Sequence, residues 1–250
     1  AGMFVLAMGK MGAHELNYSS DIDLIFLFDS SLFPVDKVSA YRSIFIKVTQ
    51  KVFSLISKNT AYGYVFRTDL RLRPNPSVTS VCPTMQSAEA YYIREGRTWE
   101  RAAFIKARVC AGNKKIGNNF LLRMQKFIWR PELDFAAIGA IEQLLIQSRQ
   151  HKEISGPIIV EGHNLKLGQG GIREIEFFAQ AHQLIYGGRH HELREITTQG
   201  ALKALADQKR ITPKIAETLI TALRQHRKIE HRIQMLRDTQ SHSIPNNLEE

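Results

Sequence analysis

The sequence predicts an α+β protein: a small mixed sheet with helices, followed by a helical bundle. Three observations predict it. Two short apolar runs, at 4–7 and 22–28, flank a polar stretch punctuated by Gly9 and Gly12. A period-two segment at 64–72 follows an amphipathic one at 37–57. Beyond about residue 85 the periodicity is helical almost without break.

The run at 4–7 reads as a short buried strand, broken by the two glycines and by Asn17, Tyr18, Ser19 and Ser20. Residues 22–28 form a second strand. Val38, Tyr41, Phe45, Val48, Val52 and Leu55 recur by three and four, which predicts a helix over 37–57 with these side chains on its apolar face. The third strand, 64–72, sets Phe66, Thr68, Leu70 and Leu72 on one face and Val65, Arg67, Asp69 and Arg71 on the other; Pro74 and Pro76 end it. Helical patterns follow over 86–95, 98–111, 117–129, 133–150, 171–186, 198–208 and 213–239, with a polar connection at 155–170. Thr212 and Pro213 fit an N-cap and first helical position. The change of character divides the chain into 1–112 and 113–250.

With 44% hydrophobic and 23% charged residues over 250 positions, the composition is ordinary for a globular protein. No apolar run approaches the ~20 residues of a membrane span. The chain begins at Ala1 and ends in NNLEE, which reads as a piece of a longer protein. Cys82 and Cys110 have neither metal spacing nor a disulfide framework, which fits a reducing cytoplasm. The net charge of +10 suggests an anionic partner, or simply a basic solvated surface. No basic tail and no aromatic-basic motif speaks for nucleic acid.

Asp21 and Asp23 open the second strand two residues apart, so they share a face about 6.7 Å apart along the chain. Two carboxylates held together repel unless a cation lies between them, and hard oxygen donors suit Mg²⁺ or Mn²⁺. A solvated turn at a strand edge is the plainer alternative. Asp69, flanked by Arg67, Arg71 and Arg73, adds a third carboxylate and phosphate-pairing cations, or else belongs to a surface ion-pair ladder. Gly9 and Gly12 lack a third glycine for a dinucleotide fingerprint; their turn lets N–H groups approach a phosphate, or is merely tight. The Gly168–Gly171 turn precedes a helix, where an anion site or a plain turn both fit. On that helix Arg173, Glu176, Gln180 and Gln183 share one polar sector of a largely apolar surface. They either form an internal network or line a cleft. Trp99 reads as core or stacking platform, and Lys106 and Arg108 as phosphate ligands or a solvated helix face.

The order strand, Gly turn, Asp-x-Asp strand, helix, third Asp resembles the nucleotidyltransferase superfamily of DNA polymerase β. The strings GKMGAHELNYSSDIDLIF, VFRTDLRLRP, GRTWERAAFIKAR and KLGQGGIREIEF are similar to the glutamine synthetase adenylyltransferase family. That family carries two nucleotidyltransferase domains. One removes AMP from a glutamine synthetase tyrosine by phosphorolysis, giving ADP; the other attaches AMP from ATP. Arg101 after Trp99-Glu100, and Arg173-Glu174 after Ile172, resemble the deadenylylating half. The resemblance implies a catalytic domain over 1–112, in which Asp21, Asp23 and Asp69 hold two Mg²⁺ ions. It also implies nucleotide or phosphate contacts from Gly9, Lys10, Gly12, Ser20, Arg71, Arg73, Gly170, Gly171, Arg173 and Glu176. Glutamine synthetase, a PII signalling protein, ADP or ATP, and phosphate are the partners it implies.

Overall fold

The computed structural model describes residues 2–131, 139, 143, 146, 159–237 and 239–246. Its compact units are 2–16 with 20–128, and 17–19 with the described residues beyond 128. The helix predicted over 133–150 lies outside the described residues, apart from isolated positions, as does the start of the connection predicted at 155–170.

The first unit is built on a four-stranded mixed sheet in the order β3-β2-β1-β4. Strands β1 (Met3–Ala7) and β2 (Ile22–Phe28) pair antiparallel, and β2 pairs parallel with β3 (Thr68–Asp69). Strand β4 (Arg108–Gly112) runs antiparallel on the other side of β1. Both faces are covered, which explains why β2 beyond Asp23 is an unbroken apolar run, Leu24–Phe28, rather than an alternating one. On one face Val5, Ala7, Leu24, Phe26 and Phe28 pack with Phe45 and Cys82. On the other, Phe4 meets Phe120 at 5.7 Å between ring centroids.

Helix α1 (Gly9–Gly12) is a single turn after β1, and α2 (Val38–Ser57) follows β2. Its inward stripe is Tyr41, Phe45, Thr49, Val52 and Ile56. Val48 and Leu55, expected on the apolar face, are 42% and 66% exposed. Adding Thr49 and Ile56 and dropping these two rotates the stripe, because the sheet meets the helix along i, i+4 spacing.

The third strand is much shorter than the sequence predicts. Val65 and Phe66 donate their N–H groups to the Ile56 carbonyl at the end of α2, both at 3.1 Å, and not to a strand neighbour. The Asp69 side chain then accepts from the Arg71 N–H at 2.7 Å, turning the chain out of the sheet. Only two residues of pairing remain. Helices α3 (Met85–Glu95), α4 (Thr98–Ile105) and α5 (Lys114–Ile128) complete the unit. The helix predicted over 98–111 therefore ends early, and β4 occupies its last four positions and Gly112. Gly112, at φ +77°, closes that strand, and a Cβ there would lie 2.5 Å from the Met3 carbonyl. The sequence division after 112 and the compact-unit division after 128 differ by α5, which packs on β1, β4, α3 and α4.

In the second unit α6 (Ile172–Tyr186), α7 (Thr198–Asp207) and α8 (Pro213–Arg237) pack on one another around Ile175, Ala179, Leu202, Ile220 and Leu223. Thr212 accepts from the Ile215 N–H at 3.3 Å, as expected of its N-cap position.

Candidate active site

Asp23 lies between two structural features. On one flank it is the register partner of Asp69 across the parallel β2–β3 pair. On the other, its carbonyl accepts from the Met8 N–H at 2.9 Å, at the start of the Gly9–Gly12 turn. Gly9 has φ +52°, and a Cβ there would come within 2.8 Å of Asp23 Oδ2. Backbone conformation and the neighbouring carboxylate thus both demand glycine. Gly12 answers a different need. Its Cβ would lie 1.8 Å from the Lys106 carbonyl oxygen, so it lets two stretches of backbone touch. The glycine pair therefore splits into one that borders the carboxylates and one that packs the turn.

Lys106 and Arg108 hold that turn from inside. Arg108 donates to the Met11 carbonyl at 2.9 Å and the Gly12 carbonyl at 3.2 Å, and buried Lys106 pairs with Glu15 at 3.1 Å. Neither lies on a solvated helix face. Lys10 and Ser20 are half-buried, the first on the turn and the second next to Asp21.

Arginines engage the outer carboxylates. Arg67 Nε meets Asp21 at 3.2 Å, and its guanidinium also donates to the Tyr64 hydroxyl at 2.6 Å. Arg71 grips Asp69 with Nε at 2.8 Å and a terminal nitrogen at 2.5 Å, although its own side chain is 84% exposed. Burial raises the Asp69 pKa, but the hydrogen bonds and charge of Arg71, with the charge of Arg73, outweigh it and leave the carboxyl below its usual range. Arg73 is spent differently. It donates to the carbonyls of Leu70 and Pro76, both at 2.8 Å, and so braces the loop after β3; its buried Nε has no partner. Among the described residues no group of three or more His, Cys, Asp or Glu side chains stands close enough to hold a metal ion. The hard-oxygen donor types and the adjacent strand positions fit a divalent cation, while Asp21 and Asp69 are turned toward Arg67 and Arg71. They would have to swing off these arginines to share an ion.

A cavity of about 560 Å³ opens on the β3 flank. It is lined by Asp21, Arg67, Thr68, Asp69, Leu70 and Arg71, together with Gln50 and Phe53 of α2 and Val81 of the following loop. Gln50, Phe53 and Val81 escape sequence reasoning, because no motif contains them and only the docking of α2 beside β3 brings them to the carboxylates.

The remaining expected site residues lie in the second unit. The turn before α6 has its donors engaged: Gly170 N–H reaches Glu174 at 2.9 Å, Ile172 N–H the Leu165 carbonyl at 2.8 Å, and Arg173 N–H the Lys166 carbonyl at 3.0 Å. An anion at Gly170 and Gly171 would have to displace these bonds, so the turn is closed by its own backbone and by the Glu174 carboxylate. Glu176 pairs with Arg227 at 3.0 Å; Arg227 also pairs with Glu230 at 3.1 Å, and Glu230 is fully buried. Glu230 accepts further from His242 at 2.8 Å and from the Asn17 amide. Gln183 donates to the carbonyls of Leu193 and Glu195 at 2.7 and 2.8 Å. Of the two readings of the polar sector, Glu176 and Gln183 follow the internal network. Arg173 lies over the Phe177 ring at 5.3 Å, and its buried Nε has no partner.

The first unit's motifs coincide with a family model. The model described as Glutamate-ammonia ligase adenylyltransferase matches residues 1–123. Curated proteins named bifunctional glutamine synthetase adenylyltransferase/adenylyl-removing enzyme align along the whole chain. One from Bradyrhizobium sp. (strain BTAi1) is 51% identical across 99% of this chain and 25% of its own length. One from Rhodopseudomonas palustris (strain HaA2) is 49% identical over 100% and 25%. One from Xanthobacter autotrophicus is 48% identical over 98% and 25%. The chain belongs to the glutamine synthetase adenylyltransferase/adenylyl-removing enzyme family. It spans about a quarter of the length of the curated relatives it matches. A second family model, described as GlnD PII-uridylyltransferase, matches residues 140–250. Among the described residues no helix is long and apolar enough to cross a membrane.

Proposed function

We propose that this chain carries the adenylyl-removing activity of its family, releasing AMP from a glutamine synthetase tyrosine as ADP with inorganic phosphate as the attacking group. The observation that carries the reading is the pairing of Asp23 with Asp69 across β2–β3, with Asp21 just ahead of β2, beside a Gly-turn and an arginine-lined cavity. A phosphate oxygen would bond to the adenylyl phosphorus as the bond to the tyrosine oxygen breaks, yielding ADP and tyrosine. Inorganic phosphate is already ionised and needs no strong base. The leaving phenol has an ordinary pKa near 10, and the positive charge of Arg67 and Arg71 stabilises it as it departs. Asp21, Asp23 and Asp69 would hold Mg²⁺, or Mn²⁺ in its place, which supplies charge neutralisation at the phosphoryl oxygens.

The choice of half rests on likeness in two strings. Arg101 is fully buried and donates to the Ile128 carbonyl at 3.1 Å, while Glu100 accepts from the Arg97 N–H at 2.8 Å. The second reading is therefore the adenylylating half, transferring AMP from ATP, favoured by the same carboxylate placement. Incubation of the purified chain with adenylylated glutamine synthetase, Mg²⁺ and phosphate should yield ADP. Robust transfer from ATP without phosphorolysis would reassign it. A PII-type protein is the regulator that the family likeness supports, checked by pull-down. A reducing cytoplasm is the compartment that the two unpaired cysteines fit.

A further inference from the structure

The cavity on the β3 flank is walled partly by motif residues and partly by Gln50, Phe53 and Val81 outside them, and its wall mixes two chemistries. Asp21, Asp69, Arg67 and Arg71 form a charged part; Phe53, Leu70 and Val81 form an apolar part, with the Gln50 amide among them. None of Gly9, Lys10, Met11 or Gly12 lines it, nor does Asp23. The Gly-turn and the cavity thus border opposite flanks of Asp23.

We propose that this cavity seats the tyrosine ring of the protein substrate, with Phe53, Gln50 and Val81 as specificity-determining residues; this rests on the phosphorolysis reading above. The deciding consideration is bond distance. An adenylyl-tyrosine offers two aromatic groups. Its phenol is joined to the reacting phosphorus through one oxygen, whereas its adenine is held off by a whole ribose. A group filling a cavity whose wall includes two of the three carboxylates is the one attached nearest the phosphorus. Phe53 and Val81 offer an apolar bed for a ring, and aromatic pairing adds to it. Arg67 and Arg71 stand where negative charge develops on the departing phenolate. At about 560 Å³ the cavity exceeds a single ring, which leaves room for the peptide backbone that carries it. The Gly-turn flank is left for phosphate groups.

The test separates ring from base. In the 250-residue chain, Phe53→Ala, Gln50→Ala and the filling variant Val81→Trp are compared with wild type. Two readouts are kcat/KM for phosphorolysis of adenylylated glutamine synthetase and the Kd for ADP by equilibrium dialysis, with melting temperature recorded for each. Phe53→Ala and Val81→Trp should lower kcat/KM tenfold or more while the ADP Kd stays within twofold, and Gln50→Ala, on an exposed position, should act in the same direction without a loss of fold. A tenfold weakening of ADP binding would assign the cavity to the base and overturn the proposal. Unchanged kinetics in folded variants would overturn it too. A wild-type chain that releases no ADP would instead sink the functional reading, and this inference with it.

Discussion

Asp23 and Asp69 are register partners across the parallel pair β2–β3, with Asp21 just ahead of β2 and paired with Arg67. Two of the three carboxylate residues thus sit side by side on adjacent strands of the first unit. Asp21→Asn, Asp23→Asn or Asp69→Asn should each reduce Mg²⁺-dependent turnover by roughly a hundredfold or more, about 2.7 kcal/mol on the barrier. Melting temperature should change little for Asp23→Asn. Steady-state kinetics over a Mg²⁺ series provides the check, and near-normal turnover in any variant would remove that residue from the site.

The two glycines of the turn should fail differently. Gly9→Ala introduces a left-handed residue, at a cost of about 1–2 kcal/mol, and pushes a methyl against Asp23. Turnover should fall out of proportion to stability. Gly12→Ala drives a methyl into the Lys106 backbone and should destabilise by roughly 3 kcal/mol, with the remaining folded fraction still active. Urea denaturation beside specific activity separates the two.

The second unit offers a stability prediction. Glu230, fully buried, accepts from Arg227, His242 and Asn17. Glu230→Gln removes the charge that Arg227 and its partner Glu176 are arranged around, and should cost roughly 3–5 kcal/mol. Glu176→Gln, at the outer end of the chain of ion pairs, should cost less. If both variants melt like wild type, the network is not what holds the polar sector of α6.

A pH prediction follows from Glu100. Burial raises its pKa above 4.5, and the Arg97 N–H and Tyr91 hydroxyl bonds offset that only in part. A carboxyl with a raised folded pKa contributes stability below its unfolded pKa and loses it as pH rises through the folded value. Glu100→Gln keeps an acceptor for the Arg97 N–H without the charge. The melting temperature of the variant relative to wild type should therefore climb from pH 4 to pH 7. A flat or falling difference would show that the buried charge is compensated.

The sequence by itself determined strand β2, the amphipathic helix α2 and the long helix behind Thr212. Each is written in local periodicity or capping chemistry that needs no partner to read. It also placed Asp23 at the head of β2, while Asp21, expected on the same face, falls just ahead of that strand. Tertiary structure alone decided the rest. Residues 64–72 alternate like a strand, yet Ile56 captures two N–H groups and Asp69 turns the chain, so only Thr68–Asp69 pair. Residues 108–112 look helical until β1 offers its free edge. Gln50, Phe53 and Val81 carry no signal at all, because a cavity wall is made by elements meeting in space. Likewise Glu176 reads equally as cleft or network in the sequence. Arg227, 51 positions later, settles its partner by packing α8 against α6.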